Sequence, residues 1–483
     1  MVSQERVYNS DNFSLEKEEG KHRDKCGIVG IFHPDEDVAR SVFYALYALQ
    51  HRGQESAGIA SSAQEGLRIF RNLGLVSQVF KEETIESLSG SFAVGHTRYS
   101  NTGSNNIENS QPFLTDCELG EIAICHNGNI INSSSVREKI SHPLNTSSDS
   151  ADVLRLVAES EGKNWEEKIK NATSQLVGAY SLIFLTRDKL IGVRDPFGIR
   201  PLCFGTYNGD GFVLASESPA LDTIGANFVR EIEPGEIISI DRNGIDRDFL
   251  ERDKQALCIF EFIYYARPAS ILEGKYVAEA RLEMGKILAD EHPVEADLVV
   301  AVPDSGQWAA IGYSKRSGIE LLPVLEKNRY IGRTFIEPDQ RIRDLGVYLK
   351  LTTIRSLIDG KRVVVVDDSI VRGTTTPKVV RMLKEAGAKE VHGRISSPPI
   401  ISPCFLGIDT ATPEELIAFQ KNGNVEEIRK SIGVDSLDSL GYLSLTGTAK
   451  AIGKSLEIFC HGCFSGEYPM PVPQARDKLV LAR

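Results

Sequence analysis

At 483 residues, with 41% apolar and 25% charged side chains, the chain has room for two or three globular domains. Its net charge of −12 argues against a nucleic-acid partner, because phosphate binding needs a basic face. No apolar run is long enough to cross a bilayer, the N-terminus lacks the apolar core of a secretory signal, and eight cysteines in so long a chain do not make a disulfide scaffold, so a cytoplasmic or similarly reducing location is expected.

Residues 1–25 have little apolar content and no periodicity, and are expected to form a disordered leader. Cys26 then stands directly before an apolar strand, GIVGIF (27–32). A helix follows within 37–53, where Val38, Val42, Leu46 and Leu49 recur every three or four residues. Strand-like runs come next at FAVGHT (92–97), EIAICHNG (121–128), YSLIFLT (180–186), KLIGVRD (189–195), FVLASES (212–218) and EIISID (236–241), separated by turn residues. This strand-dense unit ends near residue 255.

The pattern then changes. ADLVVAVP (296–303) is an apolar strand, followed by a helix (306–318) and the strand IELLPVL (319–325). KRVVVVDD (361–368) is followed in the same way by a helix (377–388) and a strand (390–396). Continuous apolar strands alternating with helices predict a parallel sheet buried on both faces, with right-handed crossovers and a site at the carboxyl ends of its strands.

The stretch VVVVDDSIVRGTTTPKVV is the most informative. A buried strand, Val363–Val366, runs into Asp367 and Asp368, then a loop with Gly373, Thr374, Thr375 and Thr376, then a helix opened by Pro377 with Thr376 as its N-cap. Backbone N–H groups at such a helix start favour a phosphate. The two carboxylates would repel it, and should face sugar hydroxyls or a magnesium ion. A bare pair of aspartates reads equally well as a solvated strand end; the whole string does not. It resembles the phosphoribosyl pyrophosphate (PRPP) signature of type I phosphoribosyltransferases and lacks the lysine of an NTPase loop. The resemblance implies that Asp367 and Asp368 hold the ribose diol or its Mg²⁺, and that Ser369 through Thr375 (Gly373 and Thr374 among them) cradle the 5-phosphate. It also implies that Ser305 in PDSG (303–306) lies next to the metal–pyrophosphate, and that Lys327 and Arg333 in KNRYIGRTF (327–335) neutralise pyrophosphate from a mobile loop.

Cys26 alone would be read as core filler. Its companions change that. HRGQESAG (51–58), GHTRYS (95–100), HNGNI (126–130) and SSDSADV (147–153), with CGIVGIF, resemble the N-terminal-nucleophile glutaminases in family order. The resemblance implies that Cys26 attacks the glutamine amide, with its own α-amino group, freed by removal of residues 1–25, as base. An α-amine titrates near ~7.7–8.0, which suits that work. By the same resemblance Asn127 and the Gly128 N–H form the oxyanion hole, Arg98 clamps the substrate α-carboxylate, and Asp149 accepts its α-amine. Taken singly, Arg98 reads as a surface salt bridge and Asp149 as a helix cap.

Cys117, Cys125 and Cys203 read as core. Cys258, Cys404 and the CxxC pair Cys460 and Cys463 remain as four possible ligands, and four thiolates suit Zn²⁺ or a [4Fe–4S] cluster alike. The contexts LCIFEFIYYARP, SPPIISPCFLGID and FCHGCFSGEYP resemble the amidophosphoribosyltransferases that carry a leader and a [4Fe–4S] cluster, which implies one cluster per subunit pinning the C-terminal tail.

Together these resemblances imply an α+β N-terminal-nucleophile glutaminase domain, an αββα sandwich, followed by an α/β type I phosphoribosyltransferase domain. The expected division is a propeptide at 1–25, the glutaminase at 26–255, the transferase at 256–455 and a tail at 456–483. The implied reaction takes glutamine, PRPP and water to 5-phosphoribosylamine, glutamate and pyrophosphate, with Mg²⁺, in a homotetramer inhibited by purine nucleotides (AMP, GMP, ADP, GDP). A glucosamine-6-phosphate synthase-like enzyme shares the glutaminase but not the PRPP string; a non-catalytic PRPP sensor would need no nucleophile. Ala269 and Tyr348 depart from the family pattern, where aspartate and a basic residue are usual.

Overall fold

The computed structural model describes residues 26–99, 106–144, 146–252, 254–328, 351–407, 412–433 and 436–473. The leader, Arg333, Tyr348 and residues 474–483 lie outside the described residues.

In β1 (Gly27–Phe32), Ile28 and Phe32 enter one apolar cluster while Val29 and Ile31 enter another, the two-residue alternation of a strand buried on both faces. After α1 (Ala39–Ala48) come β2 (Ser56–Ala63), β3 (Gly66–Leu73), β4 (Phe92–Arg98), β5 (Phe113–Cys117) and β6 (Gly120–Ile130). Helices α2 (Asp149–Glu159) and α3 (Trp165–Thr173) precede β7 (Gly178–Leu185), β8 (Leu190–Arg194), β9 (Cys203–Tyr207), β10 (Gly211–Ala215), β11 (Asn227–Glu231), β12 (Glu236–Asp241) and β13 (Gly244–Phe249). They form two sheets, ordered β11-β9-β10-β1-β4-β2-β3 and β13-β12-β8-β7-β6-β5.

Ile28, Phe32 and Val94 of the first sheet meet Cys125, Ile183 and Ile238 of the second in one core. The outer faces are covered by α1 on the first sheet, through Val42 and Leu46, and by α2 and α3 on the second, through Leu154, Val157 and Ile169. This is the expected four-layer αββα sandwich. Helix α1 is shorter than its periodicity predicts, because residues 51–55 turn away to bring the chain into β2. Cys125 and Cys203 are buried as expected, whereas Cys117 is only half-buried.

The second half holds a short β14 (Leu257–Cys258), α4 (Val277–Glu291), β15 (Leu298–Ala301), α5 (Gln307–Ser317), β16 (Leu325–Lys327), β17 (Leu351–Thr353), β18 (Arg362–Asp367), α6 (Thr375–Glu385), β19 (Glu390–Ile395), β20 (Ser439–Tyr442) and β21 (Phe459–Cys460). Strands β15-β18-β19-β20 form a parallel sheet in that order. Val299, Val364 and Val366 pack into one cluster with α4 and α5, and Val300, Val363 and Val365 into another with α6, so the continuous valine run is a strand buried on both faces.

Two expectations shift. IELLPVL makes one isolated bridge, Leu321 to Val299, before pairing resumes in β16 against β17, since Pro323 has no N–H to offer a ladder. Helix α6 starts at Thr375 with Thr374 at the N-cap, two residues before the expected start. Pro377 is the third helical residue, where its missing N–H is still one of the four that lack an intrahelical acceptor.

Candidate active sites

The first site gathers at the end of the two-sheet sandwich. Gly27 pairs with Thr97 across β1 and β4, which places Cys26 beside Arg98. The Cys26 Sγ lies 3.9 Å from the Tyr99 carbonyl oxygen. Arg98 is buried, so the surface-salt-bridge reading fails. Burial lowers its pKa, and Cys26, Glu55 and Asp149 act in the opposite sense as its charged neighbours. Asp149 is the first residue of α2 and not its cap. Its Oδ2 accepts from the Ile130 N–H at 3.0 Å and its Oδ1 from the Ser150 hydroxyl at 3.2 Å.

Asn127 and Gly128 lie on β6 opposite Ser181 and Tyr180. Asn127 is fully buried, and neither its Oδ1 nor its Nδ2 has a hydrogen-bond partner. A buried amide left this way costs stability and is rare in a folded chain. Gly128 is required by close approach: a Cβ there would stand 2.0 Å from the Ala179 carbonyl oxygen. Behind the site His126 Nδ1 lies 2.9 Å from Ser150 Oγ, and His96 Nε2 lies 3.1 Å from the His126 carbonyl. Burial chiefly, with Arg98 and His126 adding, holds His96 down at about 3. Sequence reasoning gave no role to Glu55, His96, His126 or Tyr99, although each stands within or next to a quoted motif.

The second site lies at the carboxyl ends of β15 and β18. Asp367 ends β18; its Oδ1 accepts from the Asp368 N–H at 2.9 Å, and Ser369 Oγ donates to Asp368. Ser305 sits in the turn between β15 and α5. The next residue, Gly306, leaves no room for a side chain: a Cβ would be 2.4 Å from the Val366 carbonyl oxygen, so this turn lies against the strand end that carries Asp367. Gly373 has φ +70, a left-handed conformation, and Thr374 Oγ1 is buried without a partner. The two aspartates, Ser305, Ser369 and the Gly373–Thr375 helix start thus come together. Lys327, at the end of β16, is paired with Asp304 of the same turn, a partner the sequence did not reveal.

The four remaining cysteines also converge. Cys258 lies directly opposite Cys460 in the parallel pair β14–β21. The Cys463 carbonyl accepts from the Ile401 and Ser402 N–H groups at 3.0 and 3.1 Å, drawing in the segment that carries Cys404. The Cys463 thiol has Cys258, Cys404 and Cys460 as electrostatic neighbours. Burial pushes Cys258 up to about 12 and drives Cys460 and Cys463 well above an ordinary thiol. Among the described residues, no group of three or more His, Cys, Asp or Glu side chains is arranged as it stands to hold a metal ion.

A glutamine amidotransferase domain family matches residues 96–223, and a phosphoribosyl transferase domain family matches residues 276–393. The chain is 46% identical over 481 residues to amidophosphoribosyltransferase 1, chloroplastic, of Arabidopsis thaliana, an alignment covering 99% of this chain and 84% of the relative. The chain belongs to the amidophosphoribosyltransferase family. An amidophosphoribosyltransferase of Methanothermobacter thermautotrophicus is 48% identical, with 94% of this chain and 96% of the relative covered. The solved glutamine PRPP amidotransferase from B. subtilis, complexed with ADP and GMP, superposes with a TM-score of 0.87 at 43% identity, covering 93% of this chain and 98% of that one. As an amidophosphoribosyltransferase, the chain carries out the glutamine-dependent first step of purine biosynthesis, not the chemistry of a sugar-phosphate isomerase or a non-catalytic sensor. No helix among the described residues is long and apolar enough to cross a membrane.

Proposed function

We propose that Cys26 becomes the N-terminal residue by removal of residues 1–25 and then acts as nucleophile and base at once. Its freed α-amine takes the thiol proton, the sulfur attacks the glutamine side-chain amide, and the protonated amine returns the proton to the departing ammonia. Water then hydrolyses the thioester to glutamate. Arg98 and Asp149 hold the two charged ends of the amino acid. Asn127 Nδ2 and the Gly128 N–H receive the oxyanion. The observation that carries this reading is the Asn127 amide, buried with both polar atoms unpaired on β6, the strand whose Cys125 has Cys26 as an electrostatic neighbour.

At the second site Asp367 and Asp368 take the ribose hydroxyls or their Mg²⁺, Ser369 to Thr375 take the 5-phosphate, and Ser305, Lys327 and Arg333 serve the pyrophosphate. The clustered carboxylates beside an N–H-rich helix start fit a magnesium–PRPP complex. Mg²⁺ neutralises charge on the departing pyrophosphate when bound. Ammonia passes internally to the ribose C1, because free ammonia near neutral pH would be protonated and lost as a nucleophile.

Cys258, Cys404, Cys460 and Cys463 hold a [4Fe–4S] cluster. All four donors are thiols, and they are mutual neighbours. Four thiolates would suit Zn²⁺ as well, and the family resemblance of their sequence contexts is what favours the cluster, which these residues would hold. The functional division is propeptide 1–25, glutaminase 26–255, transferase 256–455 and tail 456–483. The enzyme works in the cytoplasm as a homotetramer under purine-nucleotide inhibition; the ADP and GMP bound to the B. subtilis structure support that regulation.

Mass spectrometry of the active enzyme is expected to find Cys26 first in the chain, and an intact leader on active enzyme would refute the processing step. Cys26→Ala should abolish glutamine-dependent synthesis and keep ammonia-dependent synthesis. Survival of both would refute the nucleophile.

A further inference from the structure

We infer that Arg52 and Asn129 are positioning residues through which the second half of the chain holds the two sides of the glutamine site in register. The inference rests on the assignment of Cys26, Arg98 and Asn127 to that site.

Arg52 lies between α1 and β2 and is 1% exposed. Its Nε donates to Glu217, and its Nη2 donates to Glu261 Oε2 at 2.6 Å. Arg200 Nη2 meets the other oxygen of Glu261 at 2.9 Å. Glu261 belongs to the second half and follows Cys258 by three residues. Glu217 also accepts from the Arg267 N–H at 2.8 Å and from the Ser270 hydroxyl, both in the second half. All four charged residues are buried, so the set spans the boundary between the halves without solvent. Such a set is a weak source of stability, because desolvation offsets most of the attraction. Its effect is geometric: the planar guanidinium donates to its two carboxylates from fixed directions.

The Arg52 loop packs on the backbone of the glutamine clamp. A Cβ at Gly53 would stand 2.5 Å from the Thr97 carbonyl and 2.6 Å from the Arg98 nitrogen. The Glu55 N–H donates to the Arg98 carbonyl at 3.0 Å. The place of Glu261 is therefore passed through Arg52, Gly53 and Glu55 to Arg98. On the other side, Asn129 Nδ2 donates to the Phe405 carbonyl at 2.8 Å. Asn129 is two residues beyond Asn127 on the same strand, and Phe405 follows Cys404. One tie sets the clamp, the other the oxyanion strand, and each leaves the second half beside one of the four thiols.

The test uses the full-length holoenzyme and compares glutamine-dependent with ammonia-dependent synthesis. Arg52→Lys keeps the buried charge but loses the fork; Asn129→Ala removes the hydrogen bond to the Phe405 carbonyl from a half-buried side chain. Arg52→Lys is expected to raise the glutamine KM about ten-fold, and Asn129→Ala to lower the glutamine-dependent kcat about ten-fold, as a sub-ångström misplacement does. Ammonia-dependent parameters should stay within about two-fold of the parent. Parent-like glutamine kinetics in both variants would overturn the inference, as would equal losses with ammonia, which indicate general destabilisation. The parent is also treated with a glutamine-like electrophile. No adduct at Cys26 would overturn the site assignment and this inference together, whereas an adduct with unchanged variant kinetics overturns the inference alone.

Discussion

Cys258 and Cys460 face each other in a parallel two-residue ladder, and the Ile259 N–H donates to the Cys460 carbonyl at 3.1 Å. This pairing anchors the C-terminal CxxC to the first strand of the second half. If a cluster closes it, purified protein handled without oxygen should be brown and contain about four iron and four sulfide per chain. Zinc at one per chain without iron would reverse the metal assignment. Cys460→Ser should lose the iron and lower the thermal midpoint, since the tail then keeps its backbone bonds and the packing of Phe459 and Phe464 but loses the metal link.

Removing the Asn127 side chain separates stability from catalysis. Asn127→Ala deletes two buried polar atoms that have no partner, so stability should hold or rise. The glutamine-dependent kcat should fall about 10²–10³-fold with little change in KM, as for other oxyanion-hole donors. Steady-state kinetics beside a thermal melt decide it. A fall in stability with unchanged kcat would mean that the amide is structural.

The phosphate loop offers a parallel test. Gly373→Ala forces a side chain into φ +70 and brings it to 2.8 Å from Ile417 and Ile432 methyl carbons. About 1–2 kcal/mol of strain should raise the PRPP KM roughly five- to thirty-fold. Thr374→Val removes the unpartnered buried hydroxyl and should weaken PRPP without destabilising the fold. Titration of PRPP binding to both variants checks this, and parent-like affinity in Thr374→Val would exclude a ligand role for that hydroxyl.

His96 gives a pH dependence of definite sign. Its folded pKa of about 3 lies below the ordinary imidazole value, so protons bind the unfolded chain preferentially. The stability held by neutral His96 is complete above about pH 6.5 and is lost as the pH falls toward 3, with roughly 2–3 kcal/mol gone at pH 4.5. His96→Gln does not titrate, so its thermal midpoint should fall less than the parent's between pH 7 and pH 4.5. Equal falls would show that His96 is not the group responsible.

Much of this protein was legible in its sequence because the deciding interactions are local. The GIVGIF strand, the valine run and the helix after the Gly373–Thr376 loop are each built within a few residues, where backbone periodicity and turn chemistry act, although that helix starts two residues earlier than the sequence predicts. The sequence also supplied the candidates for the reacting groups: a cysteine after a polar leader, a pair of aspartates at a strand end, four thiols. Tertiary structure decided what depends on residues distant in the chain. It buried the Asn127 amide without a partner, and it placed Arg98 against Cys26 through the β1–β4 register. It paired Arg52 with Glu217 and Glu261, which no local pattern specifies. The reason is physical. A short-range pattern fixes which face of a strand or helix is apolar, but only packing sets which buried charge meets which, and whether a buried polar atom is satisfied or kept for a substrate.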